Sequence, residues 1–251
     1  MKHRILYLGD TALDQQASYL AGIMSHYNLG FDYLNSDKKL SDSWLARDYD
    51  LIIVSDYPAC NFSAEQMKVI VEKVKDGMGL LMIGGWESFT GAGGDYYNTL
   101  FADVLPVIMK SQDDRVNFSS PCLAIKEQNH EIIDALPFDQ DIPVIGGLNA
   151  FDVKRGAAIL LSAVEFKATK NDKSIDFKEG RKYPLLVVGD YGLGKTAAFA
   201  SDVAPHWVGP FVDWGNVRIK ARADGSDIIE VGNWYAEFFM NLIKWLCAKK
   251  Q

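Results

Sequence analysis

Carboxylate and histidine residues follow several apolar runs of this 251-residue chain, at positions where a folded sheet would expose them. Glu87 comes shortly after the apolar run 78–83, and Asp202 and His206 follow the run 197–200. A carboxylate and an imidazole that lie close together can exchange protons with a substrate and activate water as a nucleophile. We therefore select Glu87, Asp202 and His206 as the candidate catalytic residues, with acid–base roles.

A second group of residues near the ends of apolar runs is suited to ligand binding. Ligands of open parallel sheets bind beyond the carboxyl ends of the strands. The candidate ligand-binding residues are Asp10, Asp56, Tyr57, Gly85, Trp86, Ser88 and Trp207. Some have a purely structural interpretation as well, because Asp10 and Asp56 could cap turns or helices and Trp86 and Trp207 could pack in the core.

The positions of histidine and cysteine argue against a metal centre. His206 has no second histidine nearby, and Cys60, Cys122 and Cys247 are far apart with no CxxC spacing. Zinc sites need several such ligands, usually at short spacings. The sequence therefore predicts no metal and no cofactor. Scattered cysteines in odd number also favour a reducing compartment, so we expect a cytoplasmic protein.

Residues 189–196 match the phosphate-binding pattern GxxxxGK[ST]. Phosphate binding by that motif requires a helix that starts at the lysine, so that backbone N–H groups face the phosphates. Here Pro205 and Pro210 leave too little chain for such a helix, and Phe199 among small residues favours a strand. We therefore predict a β-hairpin with a solvated Lys195 and no nucleotide site.

Alternating apolar runs and amphipathic segments in the first half predict strand–helix–strand units. The runs 5–9, 31–34, 51–54 and 78–83 predict strands, and the last two are apolar enough to be buried on both faces. Capping-box spacings, Thr11 with Asp14 and Ser63 with Gln66, predict two helix starts, and Gly30 is expected to close the first helix. Such units indicate an α/β fold with a parallel sheet and helices on both faces.

The second half has a different pattern. Residues from about 108 to 190 are richer in Pro, Gly and Asn, with short apolar runs, and predict a β-rich elaboration. An amphipathic pattern over about 234–248 predicts a closing helix. We expect one domain, 1–251, that includes the elaboration.

Charge and hydropathy exclude two classes of partner. The net charge of −7, with no basic run, argues against nucleic-acid binding. No apolar stretch approaches the ~20 residues that cross a bilayer, so we expect no membrane partner. The apolar run of the N-terminus is too short for a signal peptide.

Several blocks of the chain resemble a known family. They are Gly-Gly-Trp-Glu-Ser-Phe at 84–89, the segments 93–96 and 104–107, and 194–207 followed by the Trp-rich closing helix. These blocks are similar to the glutamine amidotransferase-like family of the class I glutamine amidotransferase-like superfamily. The resemblance implies a three-layer, flavodoxin-like fold.

The resemblance also implies where a nucleophilic cysteine would stand. Active members carry it on a tight strand-to-helix turn, which corresponds here to Gly84, Gly85 and Trp86. None of these residues can attack a carbonyl group, so we expect no glutaminase activity.

Three functional hypotheses follow. The first is a protein without glutaminase activity that binds a small polar molecule or acts through oligomer contacts. The second is a hydrolase of different chemistry that uses Glu87 or Asp202 with His206. The third is a structural subunit, in which the six tryptophans and the aromatic-rich closing helix expose an apolar patch for self-association.

Overall fold

The computed structural model describes residues 4–249, which form thirteen strands and six α-helices. The strands are β1 (Arg4–Gly9), β2 (Gly30–Leu34), β3 (Leu51–Ser55), β4 (Gly79–Ile83), β5 (Val107–Ile108), β6 (Arg115–Lys126), β7 (Val144–Asn149), β8 (Asp152–Val153), β9 (Ala158–Lys170), β10 (Ile175–Tyr191), β11 (Gly194–Phe199), β12 (Arg218–Ala221) and β13 (Ile229–Gly232). The helices are α1 (Ser18–His26), α2 (Asp42–Leu45), α3 (Ala64–Lys75), α4 (Leu100–Val104), α5 (Pro205–Val208) and α6 (Asn233–Cys247).

Nine strands form the central sheet, in the order β2-β1-β3-β4-β11-β10-β9-β6-β7. The strands from β2 to β11 are parallel to one another. The strands from β10 to β7 extend the sheet by antiparallel pairing. The predicted parallel sheet is therefore one half of a larger mixed sheet. β3 and β4 are buried along their whole length, as their apolar sequences predict.

The β-rich middle of the chain joins this sheet through β6, β7, β9 and β10. Only the short strands β5 and β8 pair outside it, as a separate two-stranded sheet. β9 and β10 also run on beyond the core as a hairpin, whose residues 167–182 are exposed.

Helices pack on both faces of the sheet. A Cβ atom added at Gly79 of β4 would meet Leu246 of α6, whereas one added at Gly194 of β11 would meet Val74 of α3. The register pairs Thr196 with Leu80, so these two glycines face opposite sides. Phe238 and Phe239 of α6 are fully buried, whereas Trp234 and Trp245 are partly buried. The self-association through an apolar patch that the third hypothesis requires stays a prediction. No helix among residues 4–249 is long and apolar enough to span a membrane.

One of the two predicted capping boxes is confirmed. Ser63 Oγ accepts from Gln66 N (3.1 Å), and Gln66 Oε1 accepts from Ser63 N (2.9 Å), at the start of α3. The box at Thr11 and Asp14 is wrong, because α1 begins only at Ser18 and residues 11–17 form turns. The tertiary structure gives the reason, because residues of this segment, Thr11 among them, line a cleft.

The closing position predicted for Gly30 is also wrong. α1 ends at His26, and Gly30 is instead the first residue of β2.

The predicted hairpin at residues 189–196 is confirmed. β10 and β11 pair antiparallel through Tyr191 and Gly194, with Gly192 at φ +60° in the turn. The expectation of a solvated Lys195 is wrong, since its Nζ donates to Trp245 O (3.1 Å) and lies 4.8 Å from the Trp245 ring centroid. Within the described residues, the next helix is the four-residue α5, so the lysine starts no phosphate-binding helix.

Candidate functional site

Asp10 and Asp56 occupy equivalent places at the carboxyl ends of β1 and β3. Each has a left-handed backbone, with φ of 42° and 47°, which aspartate tolerates better than most residues. The two strand ends touch closely, because Asp10 N donates to Ser55 O (2.8 Å) and a Cβ at Gly9 would lie 1.6 Å from that oxygen. The glycine thus permits the close approach that brings the two carboxylates together.

Asp202 reaches the same edge from the other end of the sequence. It follows β11, which lies beside β4, and its side chain is fully buried. Its Oδ1 accepts from the backbone N–H groups of Val203 and Ala204. Its Oδ2 lies 2.7 Å from His206 Nε2 but accepts no hydrogen bond of good geometry. Pro205 starts α5 and thereby places the half-exposed His206 beside this carboxylate.

The three carboxylates form one cluster. One oxygen each from Asp10, Asp56 and Asp202 lie within 4.8 Å of one another. We call these three residues the aspartate cluster.

The electrostatics of the aspartate cluster oppose full ionisation. Burial, with the nearby charges of Asp202 and Asp56, raises the pKa of Asp10 well above its ordinary value. Burial, followed by the charge of Asp202, raises the pKa of Asp56 to about 7. The contact with Asp202 raises the pKa of His206, although burial opposes that shift. Like charges in a poorly solvated place disfavour one another, so this arrangement is costly without a positive partner.

Two polar neighbours contact Asp10. Tyr7 donates a hydrogen bond to Asp10 Oδ2 (2.8 Å) from within the core. The hydroxyl of Ser55 also acts on Asp10, lowering its pKa, yet it is fully buried without a hydrogen bond of good geometry.

Position 85 of the turn at Gly84, Gly85 and Trp86 has no room for a side chain. A Cβ atom at Gly85 would lie 2.1 Å from Asp56 Oδ1, so the Asp56 carboxylate occupies the space that a cysteine at this position would need. The N–H of Gly85 donates to Asn149 Oδ1 (2.9 Å), and that of Glu87 donates to Asp56 Oδ1 (2.7 Å). These two backbone donors are therefore engaged within the protein and do not form an oxyanion hole.

Ser88 is fully buried beneath this turn. Its Oγ accepts a hydrogen bond from Asp56 N (2.9 Å), which helps to hold the left-handed residue in place. Ser88 thus supports the backbone of Asp56 from within the protein.

An open cleft of about 750 Å³ lies above the aspartate cluster. Its lining residues are Asp10, Thr11, Gln15, Gln16, Ser36, Asp37, Asp56, Trp86, Glu87, Ala92, Gly93 and His206. Burial raises the pKa of Glu87 at its edge. Trp86 is 54% exposed, and the Arg115 guanidinium lies 4.4 Å from its ring centroid.

Five of the ten sequence-predicted site residues line the cleft, namely Asp10, Asp56, Trp86, Glu87 and His206. Tyr57 is fully buried and donates to Lys38 O, while Trp207 is 3% exposed and donates to Asn117 Oδ1. Both side chains pack inside the protein, where the Tyr57 hydroxyl and the Trp207 indole N–H make their hydrogen bonds. Gly85 and Ser88 lie under the cleft instead of on its surface.

Sequence reasoning missed a buried pair that holds the turn from behind. Asp114 accepts hydrogen bonds from Thr90 N, Gly91 N and Asn149 Nδ2, at 2.7–3.0 Å. Asn149 in turn contacts both the N–H and the carbonyl of Gly85. No local motif marks these residues, although Asn149 does end a strand as the predicted site residues do.

The family follows from comparison with known proteins. A family model described as putative glutamine amidotransferase matches residues 39–219, more than half of the chain. This chain belongs to that family. No curated protein sequence is significantly similar to it.

Solved structures agree with this membership. Cytoplasmic protein STM1381 from Salmonella typhimurium LT2 is 28% identical, with a TM-score of 0.73 over 98% of this chain and 100% of its own. Cytoplasmic protein STM3548 from Salmonella typhimurium is 26% identical, with a TM-score of 0.72 over 98% and 99%. Both are described as cytoplasmic, in agreement with the location expected from the cysteine pattern. A ThuA-like protein from Parabacteroides merdae shares the fold at 12% identity, with a TM-score of 0.57 over 99% of this chain and 91% of its own.

Proposed function

We propose that this glutamine amidotransferase-like protein has no glutaminase activity and binds a small polar molecule in the cleft above the aspartate cluster. The observation that carries the proposal is the position of the Asp56 carboxylate, 2.1 Å from where a Cβ of residue 85 would lie. A cysteine side chain at residue 85 and this carboxylate would need the same space. A carboxylate at the floor of a binding site thus takes the position of the thiol nucleophile.

The size and lining of the cleft suit a small, hydrophilic ligand. Its volume of about 750 Å³ lies in the range of small-molecule sites. Asp10, Asp56 and Glu87 supply hydrogen-bond acceptors, and the exposed face of Trp86 supplies a surface for stacking. A ligand with several N–H or O–H donors, positively charged or hydroxyl-rich, matches this lining.

The test has two arms. Ammonia release from glutamine is measured for the wild-type protein, and we expect no rate above the uncatalysed background. Glutamine turnover that Glu87→Gln or His206→Ala abolishes would overturn the proposal.

In the second arm, thermal unfolding is followed with amines, polyols and amino acids in the presence of a chelator. We expect a stabilising ligand whose effect is lost in Glu87→Gln. The effect should persist in Asp103→Asn, whose carboxylate lines other clefts. The absence of any stabilising small polar molecule would contradict the binding role.

A hydrolase of different chemistry is the second candidate, and the Asp202–His206 contact of 2.7 Å favours it. A buried carboxylate that contacts an imidazole from behind can raise its basicity and fix its orientation, and the imidazole could then activate water. Hydrolysis of an amide, ester or phosphate ester by the wild-type protein, lost in both His206→Ala and Asp202→Asn, is the expected sign of this activity. A His206→Ala protein that retains full hydrolytic activity would exclude it.

A further inference from the structure

The floor of the cleft is unusually negative for a buried place. Of the described residues that line the cleft, four are carboxylates and His206 is the only basic side chain. The aspartate cluster adds the fully buried Asp202 beneath them. Two buried carboxylates and one half-buried carboxylate that share one neighbouring imidazole are costly to keep together unless protons or a cation reduce their charge.

We propose that Asp10, Asp56 and Asp202 together bind one divalent cation at the floor of the cleft. This rests on the proposed function, because the cation would be the innermost part of that ligand site. The sequence alone predicts no metal, since that prediction considered histidine and cysteine ligands. The three aspartates are 46 and 146 residues apart along the chain and meet only in the folded sheet.

The spacing of the oxygens suits one cation. Two oxygens bound to one ion lie no further apart than twice the metal–oxygen distance, about 4.6–5.2 Å for Ca²⁺ and about 4.2 Å for Mg²⁺. The three carboxylate oxygens lie within 4.8 Å of one another, so a point at the centre of such a triangle is at most about 2.8 Å from each of them, and a small approach of the side chains brings all three to Ca²⁺ bonding distance. Mg²⁺ is disfavoured, because its shorter bonds require a larger approach. Carboxylate oxygens are hard donors, typical of Ca²⁺, Mn²⁺ and Mg²⁺ sites.

A second observation points to a ligand at the same place. Asp202 Oδ2 and Ser55 Oγ are buried, and neither makes a hydrogen bond of good geometry among the described residues, although most buried polar atoms in proteins are hydrogen-bonded. Asp202 is a member of the aspartate cluster, and the Ser55 hydroxyl acts on the Asp10 carboxyl. A cation with its water ligands would satisfy both oxygens.

The position of His206 fits the same interpretation. Its Nε2 lies 2.7 Å from Asp202 Oδ2, yet the alignment is not that of a hydrogen bond. When Asp202 binds a cation, the half-exposed imidazole can turn toward the cleft and contact a water ligand or a bound molecule.

The test is a calorimetric titration of the chelator-stripped, full-length protein with CaCl₂, MnCl₂ and MgCl₂. We expect one site per chain, with Ca²⁺ or Mn²⁺ bound more tightly than Mg²⁺. Asp56→Asn and Asp202→Asn should each weaken binding by more than the about 10- to 100-fold that the loss of an outer-sphere partner costs. The control is Asp103→Asn, which removes an exposed carboxylate that does not line this cleft and should leave the affinity unchanged.

Circular dichroism establishes that each variant is folded before titration, and the near-isosteric Asn replacements favour this. Absence of divalent-ion binding at millimolar concentration in the wild type would overturn the inference. An Asp103→Asn effect equal to that of the cluster variants would overturn it as well. The small-molecule screen with chelator separates the two proposals: a polar ligand that binds without metal supports the cleft function while the cation site fails.

Discussion

Asp114 and the aspartate cluster both lie near the turn at Gly85, and they differ in how their carboxylates are satisfied. Asp114 faces three N–H donors, from Thr90, Gly91 and Asn149. The members of the aspartate cluster also accept hydrogen bonds, from Tyr7 and from backbone N–H groups, but one oxygen of each lies within 4.8 Å of the other two carboxylates. Burial raises the pKa of Asp114 too, but its hydrogen bonds oppose the shift, whereas Asp202 and Asp56 increase the shift at Asp10.

This difference distinguishes Asp114, which has a structural role, from the aspartate cluster, which is suited to binding a ligand. A carboxylate surrounded by donors stabilises the loop that it holds, and its negative charge is used inside the protein. A carboxylate that lies beside other carboxylates destabilises the fold. The binding of a ligand best explains why it is there. The same residue type therefore has opposite energetic roles within one small region.

The largest effect is expected from Asp114→Ala. This change leaves the N–H groups of Thr90 and Gly91 and the amide of Asn149 without their acceptor, in a buried place. We expect the free energy of unfolding to fall by about 3–5 kcal/mol. Urea unfolding measures this change, and a loss below about 1 kcal/mol would show that Asp114 does not stabilise the loop at Thr90 and Gly91.

Gly85→Ala should come next. Its methyl group would overlap the Asp56 carboxylate, and we expect a loss of about 2–4 kcal/mol in unfolding free energy. The double variant Gly85→Ala with Asp56→Ala removes the overlap and should recover part of that loss, which a double-mutant cycle measures. Strict additivity of the two changes would show that the Asp56 carboxylate does not occupy the nucleophile's space.

Asp56→Asn should change stability in the opposite direction. Asn keeps an oxygen to accept from Glu87 N and removes one negative charge beside Asp10 and Asp202. In chelator at neutral pH, we expect a gain of about 1 kcal/mol, modest because part of Asp56 reaches solvent. A clear destabilisation would mean that the cluster is not repulsive in the free protein.

Ser88→Ala tests the support of the aspartate cluster. It removes the acceptor for Asp56 N, and we expect a loss of about 1 kcal/mol in unfolding free energy. Binding of the cation and of the cleft ligand should weaken along with it, because Asp56 loses its fixed backbone position. Unchanged affinity with unchanged stability would show that the left-handed turn at Asp56 holds without Ser88.

The parts of the fold that sequence reasoning predicted well depend on local patterns. The strand at 51–54 is confirmed because its apolar residues are needed at the centre of any sheet. The capping box at Ser63 is confirmed because both of its hydrogen bonds are made within four residues. The box at Thr11 has the same spacing and fails, because the segment is used to line the cleft.

The sequence predicted which residues lie near the candidate site, but not how they are arranged there. The rule that ligands gather at the carboxyl ends of parallel strands selected Asp10, Asp56 and Asp202 correctly as neighbours of one edge. The same rule selected Tyr57 and Trp207, since a position after a strand does not state which way a side chain points. Asn149 and Asp114 were not recognisable from the sequence, because their partners lie 23 to 64 residues away.

Residue types and near-neighbour spacing were sufficient to predict the alternation of strands and helices, the absence of a cysteine at the nucleophile turn and the hairpin in place of a phosphate-binding loop. Each of these depends on local sterics and burial. That β11 lies beside β4 and brings Asp202 to Asp10 and Asp56 could be seen only in the folded chain. The strand order also placed the Asp56 carboxylate over Gly85. Both results depend on which distant segments pack together, and that is a property of the whole core rather than of any one segment.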